Sequence, residues 1–209
     1  MEVIIKKNLS YDIIGNEWIS ILPKKNKRFK LNRMKKTLVV NFFGGPGSCK
    51  STMMAHCFAE LKWKGIDCEI SSEYIKEKIW EGSSSMLENQ FYISAKQNHR
   101  LYNLNGKVNV ILTDSPLLLG IVYAKNEPEE FKGFIIKHFN EYNNLNIFLE
   151  RQDYYNENGR IHNKEQAIKI DKEVMKLVNT YCDNVAKISA NRDSVPKIIE
   201  LIEDKLKTL

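Results

Sequence analysis

Leu38-Val39-Val40-Asn41-Phe42-Phe43-Gly44-Gly45-Pro46-Gly47-Ser48-Cys49-Lys50-Ser51-Thr52 is the stretch that decides the fold of this chain. A short, nearly continuous apolar run ending in glycines reads as a strand buried on both faces of a parallel sheet. Residues 51–64 then carry Met54, Phe58 and Leu61 on one helical face, and Gly65 stops that helix. Strand, glycine-rich turn, Lys-Ser-Thr and helix, in that order, are the context of a phosphate-binding Walker A loop. Glycines let the backbone wrap a polyphosphate with successive N–H groups pointing inward. The following helix turns the positive end of its dipole toward the same anion. The pattern places Gly45, Pro46, Gly47, Ser48, Cys49, Lys50, Ser51 and Thr52 at a nucleotide, with Lys50 reaching the β- and γ-phosphates of ATP and the Ser51 hydroxyl on Mg²⁺.

One residue departs from the motif: Cys49 stands where its last glycine belongs. Held at positive φ, a side chain there costs about 1–2 kcal/mol, whereas a right-handed helical conformation costs little. Its thiol has two readings as well. Beside Lys50 at a helix N-terminus it is a group sensitive to oxidation or alkylation, and otherwise it is an inert small residue.

Outward from the loop, strands alternate with helices. Further strands are expected at 68–70, 108–113, 145–149 and 185–189, and helices at 72–80, 86–104, 129–140, 164–180 and 194–207. In the 86–104 helix, Phe91, Ala95, Asn98 and Tyr102 recur at helical spacing. Alternation of this kind implies parallel strands joined by right-handed crossovers, hence a three-layer α/β sandwich with a five-stranded parallel sheet.

The 209 residues, 43% of them hydrophobic and 28% charged, suffice for one sizeable core and are too few for two full domains. No apolar run approaches the roughly 18 residues of a membrane span. The first thirty residues contain no continuous apolar segment of the secretory kind, so a cytoplasmic location without membrane contact is expected. Cys49, Cys57, Cys68 and Cys182 fit neither a metal knuckle nor a dense disulfide framework, which leaves reduced thiols. The net charge of +6 is unevenly placed: residues 1–36 hold ten Lys and Arg against three acids (+7), and residues 37–209 hold 22 against 23 (−1). The chain therefore divides into a basic N-terminal extension, 1–36, and a neutral body, 37–209. The extension reads either as a solvated tail or as an arm for phosphates, DNA included.

Other motifs choose among phosphate-loop proteins. The Asn-Lys-x-Asp signature of a GTPase and the Ser-Gly-Gly-Gln signature of a transporter ATPase are both missing from the sequence. A kinase makes positive demands instead: an acid near the acceptor, a substrate-holding helix and mobile arginines. Asp114 ends the 108–113 strand, where it binds Mg²⁺ or accepts the acceptor's proton, unless it merely caps a helix starting at Pro116. Glu73 follows the second body strand and orients an acceptor hydroxyl, or caps a helix. Gln97 and Arg100, three apart on one helix, suit a nucleobase edge and a phosphate, or are ordinary surface polar residues; Phe91 and Tyr92 suit the flanks of a base, with core packing the alternative for at least one of them. Arg151 and Arg160 lie in a polar, turn-rich segment after the fourth body strand, which has the form of a lid closing over the phosphates.

Taken together, GGPGSCKST, SSEYIKEKIWEG, NQFYISAKQNHRLYNL, VILTDSPLLL and NIFLERQDYYNENGR resemble the AAA-domain P-loop kinases common in phage genomes, akin to ribosylnicotinamide and deoxynucleoside kinases. The resemblance covers residues 36 to about 182. It implies a P-loop nucleoside triphosphate hydrolase fold of the kinase type, ATP with Mg²⁺, and phosphorylation of a nucleoside, nucleotide or similar hydroxyl compound. For a phage-encoded chain the location would be the host cytoplasm. Cys49 departs from the family pattern, as does Ser115, where several nucleoside and nucleotide kinases carry an Arg directly after the acid. Two rival readings stand beside this one: a kinase acting on a modified base or sugar hydroxyl within DNA, and an ATP-hydrolysing switch that transfers nothing.

Overall fold

The computed structural model describes residues 11–14, 17–20, 36–75, 78, 81, 89–124, 127–155 and 162–209. The chain separates into two units, residues 1–33 and 34–209. The first contains an antiparallel pair, β1 (Tyr11–Ile14) and β2 (Glu17–Ser20), in the register Tyr11↔Ser20 to Ile14↔Glu17. The sequence pattern predicts no element here. A signal was available in Gly15-Asn16, a turn pair between two four-residue runs.

The second unit is built on β3 (Leu38–Phe43), β4 (Cys68–Ser71), β5 (Val110–Thr113), β6 (Asn143–Glu150) and β7 (Val185–Ser189). All five are parallel, in the order β4-β5-β3-β6-β7. β3 is central and buried on both faces. Its Leu38, Val40 and Phe42 enter one core with Met54, Cys57 and Leu61 of α1 (Lys50–Trp63) and with Ile198 and Ile202 of the last helix. Val39 and Phe43 enter the other. There they meet Leu101 of α2 (Gln90–Leu104), Phe131 and Ile135 of α4 (Glu129–Asn140), and Val174 and Val178 of α5 (Lys164–Tyr181). The short α3 (Leu119–Tyr123) lies between α2 and α4 in sequence, and α6 (Val195–Lys207) ends the chain. Each fully buried Leu, Ile or Phe in these two layers contributes about 1.5–3 kcal/mol relative to exposure. The expected α/β sandwich with a five-stranded parallel sheet is what the chain forms.

Asn41 interrupts the apolar run and is nevertheless buried. Its amide donates to Asn144 Oδ1 at 2.9 Å and Asn146 Oδ1 at 3.1 Å, and Asn144 donates in turn to Phe139 O at 2.7 Å. A slip of one residue between β3 and β6 would turn these amides onto the wrong face and leave them unpaired, so the network helps set the register.

Local readings need adjustment at three places. Of the helix expected at 72–80, Tyr74, Ile75 and Lys78 are helical and four residues lie outside the described ones. α2 starts at Gln90, where Asn89 caps it by accepting the Tyr92 N–H at 2.9 Å, and 86–88 lie outside the described residues. The helix expected to start at Pro116 is the short α3, which begins three residues later, at Leu119, without a capping side chain. All four cysteines are free thiols, and among the described residues no helix is long and apolar enough to cross a membrane.

Candidate active site

The C-terminal ends of β3, β4, β5 and β6 bring Gly44, Ser72, Asp114 and Arg151 to one edge of the sheet, the edge at which open α/β sheets bind ligands. At its centre the chain leaves β3 through a loop that depends on glycine. Gly44 has φ 148° and Gly47 has φ 77°, backbone that side chains rarely adopt. Gly45 is required by proximity instead: a Cβ there would sit 2.7 Å from Asp171 Oδ1 and 2.8 Å from Ala167 O. Ser48 is buried and donates from Oγ to Gly45 O at 3.0 Å, closing the loop on itself. Lys50 donates from Nζ to the carbonyls of Gly44 and Gly45, both at 2.8 Å. α1 then begins with no acid in its first turn, which includes Ser51 and Thr52, so nothing there opposes the positive end of its dipole.

Cys49 takes the left-handed conformation, φ 60° and ψ 21°. The two readings of that position are thereby separated: the residue occupies a glycine-type conformation, at the cost of about 1–2 kcal/mol. Part of that cost is offset because its side chain packs against the α1 core.

Arg151 sits across from the loop. Its Nε donates to Asp171 Oδ2, and its Nη2 donates to Pro46 O at 2.9 Å. Asp171 Oδ1 accepts the Gly45 N–H at 2.6 Å. Both side chains are largely shielded from solvent, with 12% and 16% exposure. Arg151 Nη1 is buried and has no partner among the described residues. Tyr155 lies with its ring 5.7 Å from the Arg151 guanidinium, and its hydroxyl donates to His162 O at 2.6 Å. α5 is fixed by a capping box in which Asn163 and Gln166 bond each other's backbone. Asp171 was missed in the sequence, where only a helix was expected. It lies on the stripe Ala167, Asp171, Val174, Val178, whose other three members are buried, and an acid on an apolar stripe was the available signal. Arg160 lies outside the described residues.

Toward the other side of the loop, Asp114 is 4% exposed and its Oδ1 accepts the Glu73 N–H at 3.0 Å. Capping of a helix at Pro116 is not its role, because α3 starts at Leu119 without a side-chain cap. Gln97 is buried. Its amide nitrogen donates to Ser71 Oγ at 3.1 Å and Thr113 Oγ1 at 3.4 Å, and its Oε1 accepts the Tyr74 N–H at 3.3 Å. Arg100 donates to Ser72 O at 2.8 Å and lies 5.3 Å from the Tyr74 ring centre. Gln97 and Arg100 thus brace the chain where it leaves β4, next to Glu73.

The faces of α2 differ from the sequence pattern. Phe91 and Tyr102 of the expected stripe are exposed, while Gln90, Ser94 and Gln97 are buried. Polar groups are tolerated inside because hydroxyls and backbone amides at the strand ends satisfy them. Phe91 packs against Phe131 and Phe134, and Tyr92 shares a hydroxyl hydrogen bond of 3.2 Å with Tyr74. On α3, packing and then the charges of Glu73, Asp171 and Glu173 push the Tyr123 phenol well above its ordinary value.

No family model matches the sequence, and no curated protein matches it either. Among solved structures the chain is similar to the NadR protein in complex with NR, with a TM-score of 0.55 and 16% identity over 80% of this chain and 52% of that one. It thus spans about half the length of that protein. It is also similar to deoxyadenosine kinase from M. mycoides with bound dATP, with a TM-score of 0.51 and 21% identity over 81% of this chain and 99% of that one. The finer resemblance to phage-type AAA kinases has no counterpart in these matches. A five-stranded all-parallel sheet with helices on both faces, a glycine loop after its central strand and these neighbours together give the chain the P-loop kinase fold.

Proposed function

We propose that this protein is an ATP-dependent phosphotransferase acting on a nucleoside, nucleotide or similar small hydroxyl compound. One observation carries the reading: the two strands that flank β3 lead into Asp114 and Arg151, on either side of the Lys50 loop. A donor's phosphates need donors from the backbone and cations, and the glycine backbone, Lys50 and the unpartnered Arg151 Nη1 fit that need. Ser51 and Asp114 fit Mg²⁺, which in phosphoryl transfer is held by one or two oxygen side chains together with the phosphates. Among the described residues no group of three or more His, Cys, Asp or Glu is arranged to hold a metal alone.

When bound, ATP supplies the phosphoryl group and Mg²⁺ offsets its charge. Lys50 and the loop amides hold the donor, and Arg151 and Arg160 neutralise charge that grows during transfer. Glu73 faces the acceptor and orients or deprotonates its hydroxyl, while Gln97, read from the sequence as an acceptor contact, is buried and with Arg100 holds the segment that carries Glu73. The nucleoside class of acceptor is supported by the small molecules named with the two structural neighbours, NR and dATP. A cytoplasmic location agrees with this chemistry.

Labelled ATP offered with a panel of nucleosides, nucleotides and DNA tests the proposal. A small acceptor should become labelled, and Lys50→Met should abolish labelling while the chain stays folded. Label appearing in DNA would favour the polymer-acting alternative. ATP turnover indifferent to every acceptor would favour the switch.

A further inference from the structure

The carboxylate of Asp171 performs two tasks at once. One oxygen takes the Gly45 N–H of the phosphate loop at 2.6 Å, and the other takes Arg151 Nε. Arg151 completes the ring by donating to Pro46 O at 2.9 Å, inside the same loop. Gly45 cannot carry a side chain without colliding with this carboxylate, so loop and helix α5 are shaped for each other. The contact joins residues 126 apart in sequence. A surface ion pair has no such geometry: here both partners are mostly buried, each makes a second bond to or within the loop, and among the described residues Arg151 Nη1 has no partner.

We propose that Asp171 is a positioning residue, a clamp that fixes Arg151 against the phosphate loop. The proposal rests on the phosphotransferase reading and adds a residue to it. A carboxylate this close to the loop opposes a triphosphate electrostatically, so Asp171 weakens ground-state binding of ATP. In exchange it orients Arg151, the one described arginine between β6 and α5, the group needed when charge builds on the transferring phosphoryl. Asp171 touches neither donor nor acceptor in this account and acts only through Arg151 and Gly45.

The test is Asp171→Asn, which keeps an oxygen for Gly45 and loses the charge that holds Arg151. ATP affinity, measured directly by titration without acceptor, should tighten about five-fold. kcat for transfer should fall about 100-fold, and in an Arg151→Ala background the same substitution should lower kcat no further. Unchanged or weaker ATP binding, or effects that multiply in the double variant, would show an ordinary structural ion pair and overturn the clamp. If the wild-type chain binds no ATP, the phosphotransferase reading itself fails; if it binds ATP and the variant binds identically, only the clamp fails. Should Asp171→Asn not fold, glycine-selective ¹⁵N labelling of the wild-type chain, with its ten glycines, decides. The Gly45 amide should be protected from exchange without nucleotide and should shift on adding ATP, and an unprotected, unmoved resonance would overturn the proposal.

Discussion

Glu73 donates its backbone N–H to Asp114 Oδ1 at 3.0 Å, joining the chain just past β4 to the end of β5. Asp114 therefore has a structural acceptor role as well as its proposed charge on Mg²⁺, and two substitutions separate them. Asp114→Asn keeps an acceptor oxygen and should retain stability within about 1 kcal/mol while losing at least about 100-fold in kcat. Asp114→Ala should lose activity and also about 0.5–1.5 kcal/mol, because the half-buried Glu73 N–H loses this acceptor. Urea midpoints and transfer rates on the two variants check this; an active Asp114→Asn would exclude the carboxylate from the chemistry.

Arg151→Ala and Arg160→Ala should each lower kcat far more than they weaken ATP binding, since charge grows on the phosphoryl group during transfer. Steady-state kinetics on both variants gives the split. A change confined to KM at either position would make that arginine a ground-state contact.

Cys49 holds φ 60°, a conformation that glycine adopts freely. Cys49→Gly should relieve about 1–2 kcal/mol of backbone strain, offset by about 0.5–1 kcal/mol of unfolded-chain entropy. Tm should rise by about 1–3 °C, and Cys49→Ala, which keeps the strain, should not raise it. A lower Tm for the glycine variant would mean that thiol packing on the α1 core outweighs the strain.

Burial, helped by Glu60, pushes the Cys57 thiol up to about 12 from an ordinary 9.0. Since the fold favours the neutral thiol, its contribution is complete below the unfolded value and is lost as pH rises from about 9 toward 12. Each unit of that window costs about 1.4 kcal/mol. The urea midpoint should therefore decline above pH 9, and Cys57→Ala, although less stable at neutral pH, should decline less steeply. Parallel slopes for the two proteins between pH 9 and 11 would contradict the assignment.

A chain starting at Met34 lacks the unit formed by residues 1–33 and keeps every described site residue. It should fold and phosphorylate a small acceptor nearly as well as the full chain. If DNA is the acceptor, truncation should instead reduce polymer binding and flatten its salt dependence, by about 0.9 in log–log slope per lost phosphate contact. Insolubility of the shortened chain would show that the first unit is needed by the second.

The sequence by itself determined the β3–loop–α1 unit with Lys50 at the start of its helix, the alternation of strands and helices, and the places of Asp114 and Arg151 just past strand ends. Hydrophobic periodicity and glycine-rich turns act over a few residues, so they are written locally. The antiparallel pairing of Tyr11–Ile14 with Glu17–Ser20 was not read from the sequence, because two four-residue strands give a weak periodic signal. Only tertiary structure decided that Cys49 is left-handed, that Gln97 turns inward to Ser71 and Thr113, and that Asp171 meets Gly45. Those outcomes depend on which polar groups meet when helices dock on a sheet edge. A buried carboxylate or amide follows no period, and its stability comes from partners more than a dozen residues away, where no local pattern reaches.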